Sequence, residues 1–145
     1  MLYVISGPPG AGKSSWIKAH AKPVDIVIDF DLLALALAGP GAANRDYSRT
    51  LEKVVHKVRW AAIREVEQHL DKVDVYLINT SPSPRDRSNY QRLGAKLVTI
   101  DPGRAIVMQR IRDMRRPGME AVAERWYKRH KHRSPSAMPQ ASRAW

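Results

Sequence analysis

Residues 7–14 read Gly-Pro-Pro-Gly-Ala-Gly-Lys-Ser, a complete G-x-x-x-x-G-K-[ST] pattern. These residue types at this spacing can hold a chain of phosphates. Gly7, Gly10 and Gly12 let the backbone turn tightly and aim its N–H groups inward at phosphate oxygens. Lys13 reaches the β- and γ-phosphates, and the Ser14 hydroxyl is placed for a magnesium ion. A helix beginning here adds the positive end of its dipole. The expected cofactors are therefore ATP or another NTP and Mg2+. The expected contact set is Gly7, Pro8, Pro9, Gly10, Ala11, Gly12, Lys13, Ser14 and Ser15.

Holding phosphates is half of phosphoryl transfer; an acceptor hydroxyl must also be aligned and relieved of its proton. Asp29 and Asp31 close the second apolar run of the chain, Asn79-Thr80-Ser81 follow the third, and Asp101 follows the fourth. In open α/β folds ligands gather beyond the carboxyl ends of the strands, so these clusters should share one rim with residues 7–14. Asp31 is the expected general base. Asp29 competes for that role or serves as an outer-shell magnesium ligand beside Ser14. Two apart on an extended segment, the two carboxylates should point the same way. Asp31 is also placed to cap a helix.

Arg104, Arg110, Arg112, Arg115 and Arg116 fall on or just after one helical segment. Arginines there would close over the γ-phosphate as a lid and stabilise transition-state charge. Arg115 or Arg116, beside Pro117-Gly118, is the expected catalytic contact, and Arg110 is expected on the nucleotide. The five histidines show no metal-ligand spacing and read as surface residues. Trp60 and Trp126 fall on helices and read as packing residues.

These groups need elements to position them. Leu2–Ser6 reads as a strand before the loop, and Ser15–His20 as a helix after it. Val24–Asp29 reads as a second strand, Leu32–Leu37 as a helix stopped by Gly39-Pro40-Gly41. Ser48 to about Leu70 is the longest helix, with Leu51, Val54, Val55, Val58, Ala62, Val66 and Leu70 at helical spacing. Val73–Ile78 is apolar on both faces, as a buried parallel strand requires. Arg85–Leu93 reads as a helix, Lys96–Ile100 as the fourth strand, and Arg104–Arg115 and Met119–His130 as two closing helices. Strands alternating with helices predict an α/β fold with a small parallel sheet. Residues 1–133 read as a single domain, and the Pro-, Ser- and Ala-rich residues 134–145 as a disordered tail.

The chain has 145 residues and no cysteine, which fits one domain without disulfides in a reducing cytoplasm. It has no run of eighteen apolar residues, and its N-terminus enters a core strand directly, so neither a membrane span nor a signal peptide is expected. The formal net charge is +11. Ten Lys or Arg against three acids lie between Arg104 and Arg133. That balance predicts a polyanionic partner, most obviously nucleic acid.

With these residues in place the chain resembles the bacteriophage polynucleotide 5′-hydroxyl kinase family over about residues 2–130, its kinase domain only. The loop followed by Ser15-Trp16 is similar to that family's start. Ile28-Asp29-Phe30-Asp31 resembles the segment bearing its general base, which maps onto Asp31. Residues 79–87 resemble the segment after its third strand, with Thr80, Pro84 and Arg87 matching best; Val107–Gly118 resembles its arginine-bearing lid, with the catalytic arginine near Arg115. Arg125-Trp126-Tyr127-Lys128 also has a counterpart. The resemblance implies a small P-loop kinase-type three-layer fold of about four parallel strands with an arginine-rich helical lid, and it implies acceptor binding by Thr80 and Arg87. Two positions depart from the pattern. Ala34 stands where the family has an arginine for the acceptor phosphate, and Asn79 stands where it has an acid.

The expected function is transfer of an NTP γ-phosphoryl group to a hydroxyl on nucleic acid, at a 5′ end or on a modified base. A nucleoside or other metabolite kinase is the alternative within enzymes. A DNA-associated accessory module that hydrolyses slowly or not at all is the alternative outside them, and Asn79 is the feature that favours it.

Overall fold

The structure, a computed structural model, describes residues 1–42, 47–114 and 118–131. Four strands, β1 (Leu2–Ser6), β2 (Ile26–Ile28), β3 (Val75–Ile78) and β4 (Lys96–Thr99), form one sheet in the order β2-β3-β1-β4. Every pairing is parallel. The helices are α1 (Lys13–His20), α2 (Phe30–Leu37), α3 (Arg49–Val66), α4 (Pro84–Arg92), α5 (Arg104–Met114) and α6 (Met119–Arg129). The fold is thus α/β, a parallel sheet flanked by helices.

The strand order decides which helix covers which face. The step from β1 to β2 passes over β3 in one direction, and the step from β3 to β4 passes over β1 in the other. Right-handed crossovers then put α1 on one face and α4 on the opposite one. The two cores agree. Ile5, Trp16, Ile17, Ile100, Val107 and Ile111 pack together on the face of α1, α5 and α6. Leu2, Val4, Val66, Val75, Leu77 and Tyr90 pack on the face of α3 and α4. Alternate residues of β1 thus feed opposite cores, as a strand period of two demands. Burying side chains such as Ile5, Leu77, Ile100 and Ile111 contributes roughly 1.5–3 kcal/mol each.

The local boundaries differ from the sequence expectation in instructive places. Helix α2 begins at Phe30, two residues earlier than expected, and its cap is Asp29, not Asp31: the Asp29 carboxylate accepts from Asp31 N at 3.2 Å. Asp31 sits inside the first turn. The long helix, expected from Ser48 to about Leu70, runs over Arg49–Val66 with Ser48 as its cap and turns into a 3-10 segment at Glu67–His69. Its apolar stripe is only partly used: Val55 and Val66 are buried, whereas Val54 and Val58 face outward. Trp126 is buried as expected; Trp60 is 65% exposed, so its reading as a packing residue is overturned. Among the described residues no helix is long and apolar enough to cross a membrane.

Candidate functional site

The chain leaves β1 and β3, neighbours in the sheet, in opposite directions, and the space beyond their carboxyl ends opens as a cleft. The loop after β1 and the segment after β3 are tied together there. Asn79 N donates to Ile5 O at 3.0 Å, and Gly7 N to Thr80 O at 3.2 Å. Gly7 has φ 144°, and a Cβ on it would lie 2.1 Å from the carbonyl oxygen of Ile100, so only glycine lets the loop pass this close to the end of β4. Gly12, at φ 98°, turns the chain into α1. No acid and no capping side chain occupies the first turn of α1, whose leading N–H groups are not used within the helix.

The cleft has a volume of about 740 Å³. Its floor is the loop and the start of α1, from Pro9 to Ser15. Asp29 and Asp31 stand on one wall, Asn79, Thr80 and Ser81 on another, and Met114, Met119 and Val122 bring an apolar side from α5 and α6. A second cavity of about 680 Å³ meets it at Ser14, Asp29, Asp31 and Ile78, and continues over apolar residues that include Leu32, Leu35, Ala38 and Tyr47. The carboxylates therefore stand where two cavities join. They share this place through the cap geometry of α2, not through the extended alternation expected from the sequence.

Lys13 folds back over its own loop. Its Nζ donates to Gly7 O at 2.9 Å and Pro8 O at 2.7 Å, which leaves one of its three donors for another acceptor. Burial pulls its pKa from 10.5 down to about 8, while the carboxylates of Asp29 and Asp31 act in the opposite direction. Partly buried and with one donor left over, the ammonium favours an arriving anion.

The arginines expected as a lid divide. Arg110 donates to Gly10 O at 3.2 Å and Ala11 O at 3.3 Å, so α5 grips the outside of the loop backbone, and burial lowers its pKa. It holds the loop in place and does not line the cleft. Arg104 is paired with Glu124 of α6, and Arg112 is exposed. Arg115 and Arg116, expected to make the catalytic contact, lie outside the described residues, as do residues 134–145.

Asp101, expected on the rim, is turned to structural use. Its Oδ1 accepts from Tyr127 OH at 2.6 Å and from Gly103 N at 3.0 Å. The Tyr127 hydroxyl is pushed far above its ordinary value by burial and by that carboxylate. Asn79 donates to Tyr90 OH at 2.9 Å and to Asp86 at 3.4 Å, so its amide braces β3 against α4. Thr80 lines the cleft, and its carbonyl also accepts from Trp126 Nε1 at 2.8 Å. Arg87, implied with Thr80 as an acceptor-binding residue, does not line the cleft but an adjoining groove of α4 and α6. Ala34 is fully buried.

Two cleft residues escape the sequence reading. His56 and Arg59, one helical turn apart on α3, line the cleft, and Arg59 donates to Ile78 O at 2.9 Å. Their i,i+3 spacing puts them on one face, but nothing in the sequence says that this face meets the end of β3. Among the described residues no group of three or more His, Cys, Asp or Glu could hold a metal ion. No protein-family model matches the chain, and no curated protein matches it.

Proposed function

We propose that the protein is a phosphotransferase of the P-loop kinase type, which moves the γ-phosphoryl group of ATP or another NTP to a hydroxyl of a nucleic acid, most directly a 5′-hydroxyl. The observation that carries this reading is the glycine loop curled around the Lys13 ammonium, with Asp29 and Asp31 on the wall of the same cleft. The loop and the start of α1 hold the triphosphate through backbone N–H groups, with Lys13 on its outer phosphates.

Mg2+ suits the donor set: it keeps most of its water and needs only one or two protein oxygens beside the phosphates. Ser14 Oγ would bind it, with Asp29 one shell out, and when bound it neutralises charge on the β- and γ-phosphates. Asp31 accepts the proton of the acceptor hydroxyl as that oxygen bonds to the γ-phosphorus and the bond to the β-phosphate oxygen breaks. Met114, Met119 and Val122 keep water from the transferred group. Arg110 fixes the loop from behind. Arg115 or Arg116 would meet the transferring phosphoryl group.

The net charge of +11 favours a nucleic acid as acceptor. The apolar cavity beside Asp31 favours a second reading, a small acceptor such as a nucleoside. The test is transfer of labelled γ-phosphate to 5′-hydroxyl oligonucleotides and, in parallel, to free nucleosides. Oligonucleotide product that is lost in Lys13→Ala supports the first reading. Product on nucleosides alone supports the second, and product on neither overturns both.

A further inference from the structure

The groove that holds Arg87 has a volume of about 590 Å³ and adjoins the cleft, since Ser81 lines both. The Pro82-Ser83-Pro84 segment, Arg129 of α6 and His130 just after it complete the lining. Contacts tie this region together. Trp126 Nε1 binds the carbonyl of Thr80, the Trp126 ring stacks on His130 at 4.0 Å, and His130 Nδ1 lies 2.6 Å from Trp126 O. One tryptophan thus clamps the loop after β3 to the end of α6 and sets the histidine beside it. Ser83 and Asp86 form a reciprocal capping box, and Pro84 opens α4, which fixes Arg87 one turn along. Among the described residues the side chains of Arg87 and Arg129 make no hydrogen bond or ion pair. Two guanidinium groups without side-chain partners, lining one groove, suit a phosphodiester, which accepts arginine hydrogen bonds in paired geometry.

We infer that this groove binds the backbone phosphates of a single-stranded nucleic acid whose 5′ end enters the cleft past Ser81. The inference deepens the proposed function and rests on it for the direction of the strand. Arg87 thereby acts on nucleotides downstream of the reacting end and not on the reacting hydroxyl itself. Strand length then becomes a determinant of affinity, and an acceptor too short to reach past Ser81 gains nothing from either arginine.

The test is fluorescence anisotropy of a nine-nucleotide single-stranded DNA with a free 5′-hydroxyl and a 3′ fluorophore, titrated across a range of salt. Each phosphate contact contributes about 0.7 to the slope of log K against log salt for single strands. Arg87→Gln/Arg129→Gln should lower the slope by about 1.4 and weaken binding about 25-fold at 0.1 M salt, the same two contacts referred to 1 M. Arg87→Lys/Arg129→Lys should recover most of the slope. Arg92→Gln/Lys96→Gln, exposed residues at the far end of the sheet, removes the same charge and should leave the slope in place. An unchanged slope in the Arg87/Arg129 glutamine pair, or an equal loss in the Arg92/Lys96 pair, overturns the groove. The readout is independent of catalysis. The expected slopes without phosphate transfer uphold the groove and overturn the kinase reading, whereas transfer with an unchanged slope upholds the kinase and overturns the groove.

Discussion

Raising the pH from 7 to 9 should weaken nucleotide binding about tenfold, through Lys13 alone. With a pKa of about 8 in the free protein, the amine is mostly charged at pH 7 and mostly neutral at pH 9. On the proposed reading a triphosphate in the loop would add countercharge and raise the group back toward its ordinary value. The bound form must therefore carry the proton. Above pH 8 each binding event has to take one up. The apparent affinity falls by the factor 1 + 10^(pH − 8), which changes about tenfold between pH 7 and 9, or about 1.4 kcal/mol. Phosphate titrates near pH 6 and is almost fully ionised from pH 8 upward, so the readings at pH 8 and 9 report the lysine. Isothermal titration with a non-hydrolysable ATP analogue, in buffers of different protonation enthalpy, reads the proton directly: about 0.1 taken up at pH 7, 0.5 at pH 8 and 0.9 at pH 9. The free protein should show the matching sign. A lysine pKa lowered on folding opposes stability below pH 8, and that penalty fades as pH rises from 8 to 10.5. Lys13→Met should accordingly stabilise the unliganded protein at pH 7 and lose that advantage by pH 10. Affinity that stays flat from pH 7 to 9, with no proton uptake, refutes the claim that the buried ammonium meets the phosphates.

Asp31→Asn should slow single-turnover transfer by about 10²- to 10⁴-fold while nucleotide still binds, since it removes the proton acceptor and leaves the loop intact; undiminished turnover rejects Asp31 as the base. Gly7→Ala should cost about 2–4 kcal/mol, because its Cβ would sit 2.1 Å from Ile100 O at φ 144°. Gly103→Ala has φ 108° but open space around it, so its melting temperature should drop by much less, and equal drops would exclude the clash as the cause. Tyr127→Phe should destabilise by about 1.5–3 kcal/mol through loss of the 2.6 Å bond to the Asp101 carboxylate, read from urea unfolding. A value near zero there would mean that Asp101 finds water instead.

What the sequence by itself determined lies in short stretches of chain. Strand β1, the glycine loop and α1 are contiguous, so residue type and spacing were enough to read them, and Gly7 and Gly12 do take positive φ. The alternation of apolar runs and amphipathic helices was enough for a parallel α/β sheet, because a strand buried on both faces must be apolar throughout. Side-chain partners across the fold were decided only by the tertiary structure. Asp29 and Asp31 exchanged the capping role because the chain entered α2 two residues early, a choice of backbone geometry that either aspartate could have served. Asp101 was claimed by Tyr127 from α6, and Arg104 by Glu124, twenty residues away. His56 and Arg59 reached the cleft because α3 runs past the end of β3, and Arg87, a turn into α4, lines the adjoining groove. A local pattern encodes which way a backbone bends and which side of an element is apolar. It does not encode which distant carboxylate, carbonyl or cation will stand opposite, since that follows from how the crossovers stack the helices on the sheet.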